Sequence, residues 1–282
     1  MRKQKTLKGE SSLSGIGLHT GESVELRFCP AKEDTGVLFR RTDISGTPEI
    51  PATVEYVQDT SRSTNIGIGD VRIHTIEHVL AAVRSCEIDN LIIEVSGSEP
   101  PVGDGSSAPF LEMIEEAGIT EQSSEKSVVS LKHPVYLSDG HVHMVALPSA
   151  DYRISYTLHY PEAEAIRSQY FSSVINQKIF KEEIGTCRTF SLYEEISFLI
   201  DRGLIKGGSL DNAVVVKDDV ILSKEGLRFP DEMVRHKVLD LIGDLSLVGV
   251  PFNAHIIAIR SGHKSNVALA KKLYNQITME NS

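Results

Sequence analysis

Three scarcities narrow what this chain can be. Cysteine is scarce: Cys29, Cys86 and Cys187 are odd in number and share no close spacing. That excludes a disulfide framework and a CxxC metal site, and it fits a reducing compartment with each thiol buried as a small hydrophobe. Basic charge is in deficit, with 29 Lys and Arg against 39 Asp and Glu, a net −10 and a pI near 5.5. A surface that tracks phosphate backbones is therefore missing, and nucleic acid is not an expected partner. Long apolar runs are missing too: none approaches the roughly eighteen residues a membrane span needs. The basic start MRKQKTLKGESSLSGIG is not followed by the apolar stretch of a secretory signal. The expectation is a cytoplasmic chain that is not an integral membrane protein.

The 282 residues, 40% hydrophobic and 24% charged, are ordinary globular material and suit two domains. Period-two alternation predicts strands in SVELRFC (23–29), GVLFRRT (36–42) and VRIHT (71–75), and a central strand in DNLIIEVSG (89–97). TIEHVLAAVRSC (75–86) reads as a helix capped by Thr75, and GDGSSAPFLEMIEEAG (103–118) as a turn, a serine cap, a helix and a stopping glycine. EQSSEKS (121–127), polar and without apolar period, is the candidate linker. Beyond it, VVSLKHPVYLS and HVHMVALPS pair around Asp139-Gly140, and YRISYTLHY (152–160) is a third strand. SLYEEISFLIDRG is a short helix, DNAVVV a strand, PDEMVRHKVLDLIGDLSLVG (230–249) a long helix, FNAHIIAIRSGH a strand, and SNVALAKKLYNQI the last helix. The fold class expected is α+β, with two similar domains (1–122 and 123–282), each a mostly antiparallel sheet packed with two helices.

The long helix poses the functional question. Val234, Val238, Leu241, Ile242 and Leu245 supply its apolar side, yet His236, Asp240 and Asp244 recur every four residues. Side chains four apart are neighbours on a helix, so HKVLD has the spacing of two metal ligands. The same pattern also describes a surface His–Asp pair. IEHVL adds Glu77 directly before His78. Adjacent helix residues point about 100° apart, so one can bind a metal while the other reaches the water beside it, as hydrolytic zinc sites require. His78, His236 and Asp240 would complete three ligands and leave one position open. His263 in RSGH, after a glycine at the end of an apolar strand, is either a further functional imidazole or a capping or core-edge histidine. A competing motif is HTIEH (74–78), which matches the H-x-x-E-H pattern of inverzincin peptidases. It needs His74 and His78 on one helix, whereas VRI reads as a strand that leaves His74 outside.

Ordered blocks through nearly the whole chain carry a resemblance. They are GIGLHTGE, FRRTD, IEHVLAA, IDNLIIEV, DGSSAPF, CRTF, RGLIKGGSLDNAVVV, LRFPDEMVRHKVLDLIGDL and SGH. The sequence resembles the zinc-dependent UDP-3-O-acyl-N-acetylglucosamine deacetylases of lipid A biosynthesis. The resemblance implies two α+β domains with the active site between them. It implies one catalytic Zn²⁺, with Fe²⁺ able to replace it, on His78, His236 and Asp240. Glu77 would be the base, His263 the acid that protonates the leaving amine, and Asp244 the carboxylate that keeps His263 charged. Thr189 would steady the oxyanion and Lys237 stand beside the second ligand. The substrate implied is a UDP-3-O-[(3R)-3-hydroxyacyl]-N-acetylglucosamine, cleaved to acetate and a free 2-amine in the committed step of lipid A synthesis.

The same resemblance makes residues 191–216 an insert that forms an acyl channel. Ile196, Ile205, Leu210, Ala213 and Val215 fall on its lining, Phe190 near the sugar, and His19 near nucleotide or sugar. By residue type alone, ordinary helix and strand core is the stronger reading of these residues. Arg260 stands where a lysine is expected near the diphosphate, and a guanidinium serves phosphate well. Ser63 replaces a cysteine near the metal, and His74 replaces a small hydroxyl residue. The expectation is a monomeric enzyme of a Gram-negative-type bacterium. The alternatives are a non-catalytic sugar-nucleotide or acyl-chain binding protein on the same fold, an HxxEH peptidase, and a structural metal protein, for which four ligands would be usual.

Overall fold

In SVELRFC, Val24, Leu26 and Phe28 are buried while Ser23, Glu25 and Arg27 face outward, the period of two that makes a one-sided strand. The computed structural model describes residues 1–281. Its first half runs through β1 (Arg2–Leu7), β2 (Ser11–Ile16), β3 (Ser23–Pro30), β4 (Val37–Arg41), β5 (Glu49–Pro51), β6 (Val57–Asp59), β7 (Asn65–Ile68), β8 (Val71–Ile73), α1 (Glu77–Ser85), β9 (Leu91–Val95), α2 (Ala108–Ala117) and β10 (Ile119–Lys126). The second half begins with β11 (Val129–Ser130), β12 (Val135–Asp139), β13 (Val142–Leu147), β14 (Arg153–Tyr160) and β15 (Arg167–Val174). The single turn α3 (Gln177–Ile179) then runs into a π-helical turn, Phe180–Ile184. β16 (Phe190–Leu192), α4 (Tyr193–Asp201), β17 (Val214–Lys217), β18 (Val220–Leu222), α5 (Glu232–Ser246), β19 (Phe252–Asn253), β20 (His255–Ile259) and α6 (His263–Asn281) complete the chain.

The two halves share one plan. Their five-stranded sheets are ordered β2-β3-β9-β4-β5 and β12-β13-β20-β14-β15. In each, a hairpin meets the half's last sheet strand, which lies in the middle and pairs parallel with the third. Every other ladder within these two five-stranded sheets is antiparallel, so the α+β reading of two mostly antiparallel sheets with helices holds. Central β9 buries Leu91, Ile93 and Val95. Each half also carries an insert before its first long helix: the small sheet β6-β7-β8 ahead of α1, and β16-α4-β17-β18 ahead of α5.

Several expectations change. The stretch 121–127 is no linker, because β10 occupies most of it and pairs antiparallel with β1. Its polarity comes from its register: Lys3 faces Glu125 and Lys5 faces Glu121, a charge-paired ribbon rather than a one-sided core strand. Thr75 does not cap α1. The helix follows Ile76, and Thr75 sits at φ 55°, a left-handed conformation that a β-branched residue adopts only under constraint. Nor does the Ser107 hydroxyl cap α2; it donates to the carbonyl of His78 at 2.7 Å. His263 is the first residue of α6 and not the end of a strand.

What joins the halves is the crossing of α1 and α5. α5 is buried on nearly every side, from Glu232 to Leu245, because it lies against α1, α6 and β14 at once. At the crossing, a Cβ on Gly243 would stand 2.1 Å from the carbonyl oxygen of Glu77. Only glycine permits that approach, and the obstacle is backbone, which cannot swing aside. Gly243→Ala is therefore expected to cost about 3 kcal/mol, the upper part of the range for overpacking. Urea unfolding measures it, and a loss under 1 kcal/mol would mean that the helices separate freely.

Candidate active site

The crossing sets the first turn of α1 against the middle of α5. His78, His236 and Asp240 are all buried, and one donor atom from each lies within 4.8 Å of the others. Asp240 Oδ1 is 3.5 Å from His78 Nε2 and 3.3 Å from His236 Nε2. Ligands about 2.0 Å from a tetrahedral zinc stand about 3.3 Å apart, so the donor set fits a metal ion as it stands. Asp240 Oδ1 is buried without a hydrogen-bond partner, the mark of an oxygen reserved for a ligand. Asp240 Oδ2 is taken by Lys237 Nζ at 2.5 Å. His236 Nδ1 lies 3.1 Å from the carbonyl of Cys187, so Nδ1–H donates there and Nε2 is left free for a metal. Burial lowers the pKa of His236 to about 4, against the raising effect of Asp240. The ring is neutral, as ligation demands. Burial alone would raise Asp240, but His236 and Lys237 hold it well below the usual carboxylate range.

A second set of groups adjoins the first. Thr64 N–H donates to Glu77 Oε2 at 3.0 Å, and Glu77 Oε1 is 3.8 Å from His263 Nε2. Burial raises the pKa of Glu77, opposed by His263 and His78. On its other side His263 Nδ1 is 3.0 Å from Asp244 Oδ2. Asp244, completely buried, also accepts from Thr64 Oγ1 at 2.5 Å and Asn266 Nδ2 at 2.9 Å. Burial would lower His263, but Asp244 and Glu77 outweigh it and raise the imidazole to about 9.

These groups form the floor of a cleft of about 430 Å³. Glu77, His78, Thr189, Lys237, His236, Asp240 and His263 line it, with Phe190, Ile196, Ile205, Leu210, Ala213, Val215 and His19. The insert β16-α4-β17 supplies much of the apolar wall, as its αβ wrapping makes Leu199 and Ile200 face the cleft as well. Arg188 and Glu232, 1% and 0% exposed and 2.9 Å apart, tie the CRTF segment to the start of α5 and so aim the Cys187 carbonyl and Thr189.

Other residues fall elsewhere. Arg260, exposed at the end of β20, does not line the cleft. His74 precedes α1 and its N–H donates to the Ser98 carbonyl. It is outside the helix and, among the described residues, outside the metal-donor group, which removes the basis of the HTIEH peptidase reading. Ser63 Oγ binds Asn65 Oδ1. Sequence reasoning missed Thr64, which holds both Glu77 and Asp244, and Glu99, whose buried carboxylate accepts from His19 N–H, Thr20 and Thr75 Oγ1. Neither sits in a spacing that flags chemistry. Tyr160, Arg62 and Leu18 also line the cleft unannounced.

Two imidazoles and a carboxylate converging beside a second carboxylate–histidine pair, under an apolar cleft, define a metal-dependent hydrolase. Comparison with known proteins narrows this. Residues 4–275 match the model of the UDP-3-O-acyl N-acetylglycosamine deacetylase family. The chain is 52% identical over 279 residues to the UDP-3-O-acyl-N-acetylglucosamine deacetylase of Chlamydia pneumoniae, covering 99% of each. It is 52% identical over 272 residues to the deacetylase of Chlamydia caviae, covering 96% of this chain and 97% of that one. Against the deacetylase of Chlamydia trachomatis serovar L2 identity is 47% over 279 residues, 99% and 97% covered. The chain belongs to the UDP-3-O-acyl N-acetylglycosamine deacetylase family.

The raised His263 gives a signed pH dependence in metal-free protein. Its stabilising charge is fully present below an ordinary histidine value of 6.5 and is lost as pH rises through about 9. Between pH 7 and 10 the melting temperature of the chelated protein should therefore fall more steeply than that of Asp244→Asn. Parallel curves would refute the assignment of that charge.

Proposed function

We propose that this chain hydrolyses the N-acetyl group of a UDP-3-O-[(3R)-3-hydroxyacyl]-N-acetylglucosamine, releasing acetate and the free 2-amine, the committed step of lipid A synthesis. The observation that carries the reading is the unpartnered Asp240 Oδ1 facing two imidazoles at the floor of an apolar cleft. Membership of the deacetylase family supports the substrate. The enzyme acts as a monomer in the cytoplasm; among the described residues no helix is long and apolar enough to cross a membrane.

His78, His236 and Asp240 would hold one Zn²⁺, or Fe²⁺ in its place. When bound, the ion supplies a Lewis acid for the acetamide carbonyl and lowers the pKa of water toward about 7. Glu77 takes the proton from the attacking water. Its raised pKa makes it a stronger base than a solvated carboxylate, and Thr64 N–H fixes its outer oxygen so that Oε1 faces the reaction. The Thr189 hydroxyl donates to the oxyanion as it forms. His263, kept protonated by Asp244, delivers a proton from Nε2 to the departing amine. Lys237 holds Asp240 Oδ2 and leaves Oδ1 to the metal. Ile196, Ile205, Leu210, Ala213 and Val215 receive the acyl chain, and Phe190 and His19 the sugar-nucleotide end.

The test is acetate release from this substrate by chelated protein titrated with zinc. Activity should peak near one zinc per chain and fall at least a hundredfold in Glu77→Ala, in keeping with the usual contribution of a general base. Folded, metal-loaded protein that binds substrate yet releases no acetate would favour the binding-protein reading.

A further inference from the structure

The halves meet again at the far end of the α1–α5 pair, around a cavity of about 590 Å³. Arg84 and Ser85, from the last turn of α1, form one side; Tyr152, Ile175, Ile242 and Phe252 form the other. It shares no residue with the catalytic cleft.

Three side chains here have unmet polar demand. The Arg84 guanidinium donates to the Phe252 carbonyl at 3.2 Å, and its Cζ lies 5.3 and 5.4 Å from the ring centroids of Tyr152 and Phe252. A guanidinium carries five N–H donors, and among the described residues no carboxylate pairs with this one. The nearby acids are already engaged, Asp89 by Arg2 and Glu87 by Lys5. The hydroxyls of Tyr152 and Ser85 are buried with no hydrogen-bond partner. Burial pushes the Tyr152 phenol up to about 12, so it is a protonated donor at neutral pH. A partly buried cation short of partners beside two idle hydroxyls is costly unless an anion joins them.

We infer that this seam cavity binds a small monocarboxylate with an apolar body. Arg84, Tyr152 and Ser85 donate to the carboxylate, and Ile175, Ile242 and Phe252 enclose the rest. Arg2 also lines the cavity, but Asp89 holds its guanidinium through two hydrogen bonds; Arg84 is left to balance one negative charge, and a planar carboxylate matches its fork. Glu87 and Asp151, which also line the cavity, disfavour the second charge of a phosphate dianion. The volume falls within the roughly 300–1,000 Å³ of small-molecule sites and exceeds what a bare anion fills. Arg84 comes from the first half and Tyr152 from the second, so the ligand would bridge the halves and stabilise their docking.

Full-length protein with labelled isoleucine methyls, titrated with hexanoate, provides the test, with hexanol and inorganic phosphate as comparison probes. Saturating shifts at Ile175 and Ile242 are expected, with a raised melting temperature. Arg84→Gln should weaken binding at least tenfold and Tyr152→Phe several-fold, and hexanol and phosphate should leave those methyls unmoved. If Arg84→Gln does not fold, Tyr152→Phe carries the comparison. Shifts confined to Ile196 and Ile205 would place the acid in the catalytic cleft and overturn the proposal. Equal binding by folded variants would overturn it too, as would saturation of the same methyls by phosphate.

Discussion

The close passage of α1 over α5 is the constraint on which everything else rests. With Gly243 against the Glu77 carbonyl, the backbones approach until the first turn of one helix and the middle of the other share a single set of side chains. Glu77 and His78 come from one half, His236, Asp240 and Asp244 from the other, and neither helix holds a complete site. The crossing also buries charge. Asp240, Lys237, Glu77, His263 and Asp244 would each be expensive alone, and they are tolerable only as a paired network. Asp240, held well below the usual carboxylate range, meets Lys237 through Oδ2 and keeps Oδ1 without a hydrogen-bond partner. A metal ion held by His78, His236 and Asp240 would tie the two helices together, so the stability of the crossing and affinity for metal would be linked.

The shared sheet plan explains the symmetry of the scaffold and the inserts explain the asymmetry of the site. Both inserts leave at the same point in the plan, after the edge strand and before the helix that crosses. In the first half the excursion β6-β7-β8 is short and brings Thr64 down between Glu77 and Asp244. In the second half it contains α4 and becomes an apolar wall. One excursion thus serves the polar floor and the other the apolar side.

How much of this was legible follows from where the signal resided. The helical period and the repeat of His236, Asp240 and Asp244 lie on one element, so local spacing displays them. The central strand β9 shows itself as LIIEV because both of its neighbours and a helix layer cover it. β1 and β10 hide because their cohesion comes from cross-strand charge, which in sequence resembles a solvated linker. Thr75 looks like a helix cap by type; its positive φ is set by Glu99, which takes its hydroxyl at 2.8 Å from outside the segment. Thr64 and Glu99 act across long sequence separations and carry no pattern. The His78–His236 convergence needed a tertiary crossing to exist, and the family resemblance supplied it before the structure did.

The placement of an apolar cleft directly over a charged floor has an energetic consequence. Leu199 and Val215, both buried, line the cleft beside Glu77, His263 and the metal-donor group, and an apolar lining lowers the local dielectric in which such charges interact. An acyl chain in the cleft, as proposed, would add to that apolar lining. On the proposed mechanism its burial would do more than hold substrate: it would sharpen the field in which water gives a proton to Glu77 and His263 gives its own to the amine. Remote apolar binding would then be converted into stabilisation of charge at the reacting carbonyl, which is where binding energy raises turnover rather than affinity. A floor of paired charges would be over-solvated without the wall, and a wall without the floor would be a lipid pocket.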